Sequence, residues 1–180
     1  MDFRPFQKIA RFSREVIVTE KIDGTNAQIF FTDAGEMLVG SRNRWITPEA
    51  DNYGFAKWAK ANEDELRKLG PGAHFGEWWG QGIQRGYGLK EKRFSLFNVS
   101  RWSDTEARPA CCGVVPELWR GNMDDLDASR WIARLAYNGS VAAPGFMLPE
   151  GIVIYHVASG TSFKKTVEKD DQHKGQGEAA

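Results

Sequence analysis

The sequence predicts an α+β fold in which mostly antiparallel sheets carry two inserted helices. Short segments rich in Val, Ile, Phe and Thr follow one another closely, with Asp-Gly, Ala-Gly and Asn-Gly turns between them. Only residues 55–69 and 125–137 show helical apolar spacing. No internal repeat interrupts this order.

The totals set bounds on that fold. A chain of 180 residues, 41% hydrophobic and 27% charged, is long enough to bury a core as one domain. Lys+Arg 24 against Asp+Glu 24 excludes a globally basic nucleic-acid-binding surface but allows a local basic cleft. Seven Trp exceed the usual need of a core this size, so some are expected to line a groove, with a Trp-rich core as the alternative. Cys111 and Cys112 are adjacent and alone, which gives neither a disulfide framework nor a zinc spacing and fits a reducing compartment. The chain has no apolar run of membrane-spanning length, and residues 1–5 lack the apolar core of a signal peptide. A cytoplasmic protein with no membrane partner is expected.

Each element then has its own signal. Residues 1–15, with Pro5, read as a loop with a short element. Residues 16–19 and 27–32 read as strands around the turn Glu20-Lys21-Ile22-Asp23-Gly24-Thr25-Asn26, and 37–41 as a third strand followed by Arg42 and Arg44. A helix over 55–69 aligns Phe55, Trp58, Ala59 and Leu66, and Gly70-Pro71-Gly72 stops it. Residues 73–79 read as a strand containing Phe75-Gly76-Glu77. The stretch 80–88, with four glycines in nine residues, reads as a loop able to carry a site, but it lacks the Gly-Lys-Ser/Thr ending of a P-loop. Residues 93–100 alternate as a strand, and 114–121 form a short extended segment. Acidic residues crowd the start of the second helix, as its dipole favours. Strands over 150–156 and 162–167 follow, and residues 169–180 read as a polar, frayed tail.

Several of these residues carry chemical potential. Lys21 stands where a strand ends. A lysine becomes nucleophilic when burial or nearby cations disfavour its charge, although an Asp-Gly hairpin with a surface lysine fits the same residues. The guanidiniums of Arg42 and Arg44 suit phosphate or ribose contacts, or ordinary surface ion pairs. Glu77 between a glycine and two indoles can accept from a ribose. Phe97 is a core residue or a stacking surface. Glu150 opens an apolar strand and can face a metal. Lys164 and Lys165, being adjacent in a strand, must point to opposite faces, so only one can reach a cleft.

Taken in order, these motifs resemble the covalent nucleotidyltransferases: ATP-dependent DNA ligases, RNA ligases and mRNA capping enzymes. The resemblance runs over about residues 16–167. It rests on Lys21-Ile22-Asp23-Gly24, Ser41-Arg42, Phe75-Gly76-Glu77, Leu96-Phe97-Asn98-Val99, Glu150-Gly151-Ile152-Val153-Ile154 and Phe163-Lys164-Lys165-Thr166. Asn26, two places past Gly24, is similar to the RNA-ligase branch.

The resemblance implies an ATP-grasp-like nucleotidyltransferase domain over residues 1–168, with no appended oligonucleotide-binding domain. It implies an ATP-dependent RNA ligase in which Lys21 takes AMP from ATP as a lysyl–AMP phosphoramidate and passes it to a nucleic-acid 5′-phosphate, which a 3′-hydroxyl then seals. Glu20 (through its side chain or backbone), Ile22, Asn26, Arg42, Glu77, Phe97, Lys164 and Lys165 would hold the nucleotide. Phe97 would lie on the adenine and Glu77 on a ribose hydroxyl. Glu150 would help hold Mg²⁺ or Mn²⁺. The surrounding cations would lower the pKa of Lys21. RNA ends are expected ahead of DNA ends as substrate, with room for an accessory protein that grips the strand. A DNA ligase, a capping-type enzyme and a non-catalytic binder of nucleotides or nucleic-acid ends are the alternatives. The family's closing motif is commonly Lys-x-Lys, whereas here the lysines are adjacent. Lys164 is favoured as the cleft-facing one.

Overall fold

Two sheets meet at the turn that follows Lys21. The computed structural model describes residues 3–6, 8–168 and 170. The smaller sheet has four antiparallel strands in the order β10-β9-β1-β8: β1 is Glu15–Lys21, β8 Glu117–Asn122, β9 Gly151–His156 and β10 Thr161–Thr166. The larger sheet has six, in the order β4-β3-β2-β5-β6-β7. Its strands are β2 Thr25–Phe31, β3 Met37–Ser41, β4 Trp45–Ile46, β5 Gly72–Gly80, β6 Lys92–Leu96 and β7 Cys112–Val114. All its pairs are antiparallel except β6 with β7.

β1 and β2 are therefore not a hairpin, although an Asp-Gly turn joins them. β1 pairs with β8 and β9, and β2 with β3 and β5. Packing makes the difference. Ile22 is buried in a cluster between the sheets with Ile17, Trp79, Tyr87, Val99 and Val115. Gly24 lies so close to β5 that a Cβ would come within 2.5 Å of the Trp78 carbonyl oxygen. The turn is thus pressed against the other sheet and cannot fold back on β1.

Strand alternation assigns the faces. Ala27, Ile29 and Phe31 of β2, with Trp78 of β5 and Phe94 and Leu96 of β6, enter the main core. That core is covered by α1 (Phe55–Ala61) and α2 (Glu63–Leu66). On the smaller sheet Val16, Val18, Ile152 and Ile154 meet α4 (Ala128–Asn138) through Leu135. The remaining faces of the two sheets look toward each other.

Beyond shifts of one or two residues at strand ends, four expected boundaries move, each for a local reason. The helix expected over 55–69 breaks at Asn62, whose side-chain amide donates to the Trp58 carbonyl at 2.8 Å and competes with helix continuation. The strand expected over 93–100 stops at Leu96, because Asn98 accepts from the Arg101 N–H and caps α3 (Val99–Trp102). The segment expected over 114–121 divides at Pro116, where the chain passes from the larger sheet to the smaller. The second helix starts at Ala128 because Asp127 caps it, accepting from the Arg130 N–H at 2.9 Å. β4 had no sequence expectation.

The tail expected over 169–180 lies outside the described residues, apart from Asp170, which is held against β10 by the Thr166 N–H at 2.8 Å. Among the described residues no helix is long and apolar enough to cross a membrane.

Candidate active site

Lys21, the last residue of β1, points into the interval between the two sheets and is partly buried. Its Nζ lies 2.5 Å from Oε2 of Glu150, a buried carboxylate immediately before β9. The register Lys21↔Gly151 brings the two together. Gly151 is a glycine for a steric reason: a Cβ there would lie 2.2 Å from the Lys165 carbonyl oxygen.

Glu77 approaches from the larger sheet. Its Oε1 accepts from the Gly24 N–H at 3.0 Å, and its Oε2 from the Asn26 amide at 3.4 Å. Burial pushes its carboxyl up to about 7, against the opposing pull of Lys21 and the Gly24 N–H. Glu150 and Asp23 add to the rise. Glu77 is therefore poised to change charge near neutral pH, a property concentrated at functional sites.

The strand register decides between the paired lysines. Lys164 pairs with Val153, which pairs with Thr19, so Lys164 shares the face of Lys21. Lys165 pairs with Ile152 on the α4 face, and its Nζ meets Asp170 at 3.0 Å. Lys165 is thus turned away from the nucleotide-holding position expected of it.

Two further expectations change. The Glu20 side chain stands on the face opposite Lys21, accepting from Ser140 Oγ at 2.6 Å and from the Val141 and Ala142 N–H groups at 2.8 and 2.9 Å. Its carboxylate pins the loop after α4, on the side of the sheet away from Lys21. The Ile22 side chain is buried between the sheets, packed with Trp79, Tyr87 and Val115, so it serves the core there. Arg42 stands exposed in the β3–β4 turn, one position past the pair Ala27↔Ser41. Phe97 is 40% exposed just beyond β6.

A metal suits this arrangement. Among the described residues no group of three or more His, Cys, Asp or Glu could hold an ion by itself. Mg²⁺ commonly takes one or two carboxylates and completes its shell with water and substrate phosphates. The buried Glu150 carboxylate fits that mode.

A family model described as RNA ligase matches residues 14–167. The chain belongs to the RNA ligase family. No curated protein sequence matches it. Among solved structures, a lysine-to-alanine variant of Naegleria gruberi RNA ligase with ATP and Mn is similar, with a TM-score of 0.66 and 22% identity, over 89% of this chain and 52% of that one. A glutamate-to-alanine variant of the same ligase with ATP and Mn gives 0.66 and 23% over 87% and 51%. A lysine-to-methionine variant with AMP and Mn gives 0.63 and 23% over 86% and 50%. At these identities the likeness is one of fold, and the chain spans about half the length of the ligases it matches.

Sequence reading of this RNA ligase family member missed two residues at the site. Arg85, in the glycine-rich loop, places its Nε 3.1 Å from Asp23 Oδ2 and donates to the Leu148 carbonyl at 2.9 Å. Tyr87 accepts from the Asp23 N–H at 2.8 Å, and burial pushes its phenol up, so it stays neutral. The only signal was that this loop could carry a site. Its partners lie more than 60 residues away in sequence and are not legible from it.

Proposed function

We propose that this chain is the nucleotidyltransferase (adenylation) domain of an ATP-dependent RNA ligase, within the covalent nucleotidyltransferase superfamily. The observation that carries the reading is the Lys21 amine held 2.5 Å from Glu150 between two sheets, with Glu77 locked to the same turn. The Naegleria ligase structures with ATP or AMP and Mn support ATP and a divalent ion as cofactors. A cytoplasmic setting and action on RNA ends belong to the same reading.

The Lys21 Nζ attacks the α-phosphorus of ATP. The ammonium first releases a proton to solvent, the neutral amine then forms the P–N bond as the bond to the bridging oxygen breaks and pyrophosphate leaves, and the nitrogen releases its second proton to solvent. Glu150 holds the lysine ammonium before reaction and offers a carboxylate to the divalent ion. That ion, when bound, neutralises phosphate charge. Arg42 and Lys164 bring positive charge to the phosphates from the two sheets. Glu77 accepts from a ribose hydroxyl while fixing the Gly24 N–H. AMP then passes to a 5′-phosphate, and a 3′-hydroxyl displaces it.

Mass spectrometry of the protein incubated with ATP and Mg²⁺ or Mn²⁺ tests this. An AMP adduct on Lys21, absent from Lys21→Ala, is expected. Tight ATP binding with no adduct at any pH or metal would leave a non-catalytic binder. Competition by GTP, then nicked RNA against nicked DNA, separates capping and DNA-ligase chemistry.

A further inference from the structure

The face of the larger sheet that carries Glu77 and Asn26 also carries a row of aromatic side chains, of which only Phe97 has a place in the nucleotide-holding reading. Trp45 on β4 is 54% exposed, Phe75 on β5 is 55% exposed, and Phe97 lies just past β6. They fall on one cross-strand row. Trp45 pairs with Gly40, Gly40 with Gln28, and Gln28 with Phe75, whose carbonyl accepts from the Phe97 N–H at 3.0 Å. The neighbouring row is Asn26 and Glu77.

Trp45 is set in place. A Cβ on Gly40 would sit 3.3 Å from its ring, so the indole lies against bare backbone, with Phe30 at a centroid distance of 6.1 Å. Large rings held on a sheet surface in this way mark an interaction face.

We infer that this row is a stacking platform for the bases of a single-stranded RNA end leading to Lys21, an inference that rests on the ligase reading. Width argues against ATP alone as the occupant. From β4 to β6 the row crosses four strand spacings of about 4.8 Å, or about 19 Å. One base covers no more than about two spacings. An adenine on Phe97 leaves Trp45 bare at the far end. Arg42 and Arg44 stand exposed in the β3–β4 turn immediately before Trp45, and they place positive charge where a strand's phosphates would run. Aromatic stacking with flanking cations is how single strands are held without regard to sequence.

The test uses the full chain with a short 5′-phosphorylated single-stranded RNA. Trp45→Ala and Phe75→Ala are expected to take AMP on Lys21 within about twofold of wild type. Their RNA binding should weaken about fivefold to a hundredfold, as loss of one stacked base implies. Trp45→Phe should recover most of it. Unchanged RNA binding in both alanine variants would overturn the platform. So would self-association of the wild type that Trp45→Ala abolishes, since the row would then be a contact between copies. If wild type takes no AMP, the ligase reading falls, while the RNA-binding arm still decides the platform. Trp45 also packs on Phe30 and the Gly40 backbone, so the Phe75→Ala variant stands if Trp45→Ala does not fold.

Discussion

Arg85 ties Asp23 to the loop that leads into Glu150. Its Nε lies 3.1 Å from Asp23 Oδ2, and its other end holds the Leu148 carbonyl at 2.9 Å. One guanidinium thus sets the spacing between the turn carrying Lys21 and the carboxylate facing it. A planar fork can bridge two such acceptors, whereas a lysine offers a single compact charge. Arg85→Ala is expected to slow Lys21 adenylylation by about ten- to a hundredfold, from loss of one or two charge-assisted hydrogen bonds. Arg85→Lys should not rescue it. Single-turnover labelling at saturating ATP, with ATP binding measured separately, checks that the loss lies in the chemical step.

Glu77 gives a pH signature. Its carboxyl is raised from 4.5 to about 7. A raised carboxyl contributes stability fully present below its unfolded value and lost as pH rises through its folded value. At about 1.4 kcal/mol per unit, up to about 3 kcal/mol is lost between pH 4.5 and 7. Glu77→Gln lacks this dependence. Thermal unfolding should show the variant gaining on wild type across that window and holding a constant lead above it.

The two lysines of β10 should behave oppositely. Lys164→Ala is expected to lower adenylylation by about a hundredfold or more, as for removal of one preorganised charge-stabilising donor. Lys165→Ala, which removes only an exposed ion pair with Asp170, should stay within about twofold. Labelling with radioactive ATP under identical conditions separates them, and equal losses would refute the register argument.

Glu20 is expected to act on stability. Glu20→Ala strips the buried Ser140 hydroxyl and the part-buried Val141 and Ala142 N–H groups of their acceptor. A loss of about 3 kcal/mol follows from leaving such groups unpaired. Denaturant unfolding measures it. Glu20→Gln, which keeps one acceptor oxygen, should lose less.

Gly24 is a steric test of the turn. Gly24→Ala places a Cβ against the Trp78 carbonyl and the Trp79 Cβ, which cannot move without opening β5. It should cost about 1–3 kcal/mol by overpacking. It should also impair adenylylation beyond what that destabilisation explains, because the shifted turn carries Lys21. Activity measured well below the unfolding midpoint checks this.

By itself the sequence determined the ordered motifs and most element types, though not β4 or the helix α3 at the end of the strand expected over 93–100. The β-branched and aromatic content of β1 and β2 and the apolar run of β9 are written in single side chains, and the order of Lys21, Glu77, Glu150 and the lysine pair survives without coordinates. Face and sheet membership were decided only by the tertiary structure. Whether Asp23-Gly24 closes a hairpin or crosses between sheets depends on what Ile22 and Gly24 pack against. Whether Lys164 or Lys165 faces Lys21 depends on a register set through β9. Glu20 and Arg85 take their meaning from partners 120 and 63 residues distant. Local propensity acts over a few residues, whereas burial and hydrogen bonding at this site join segments that only folding brings together.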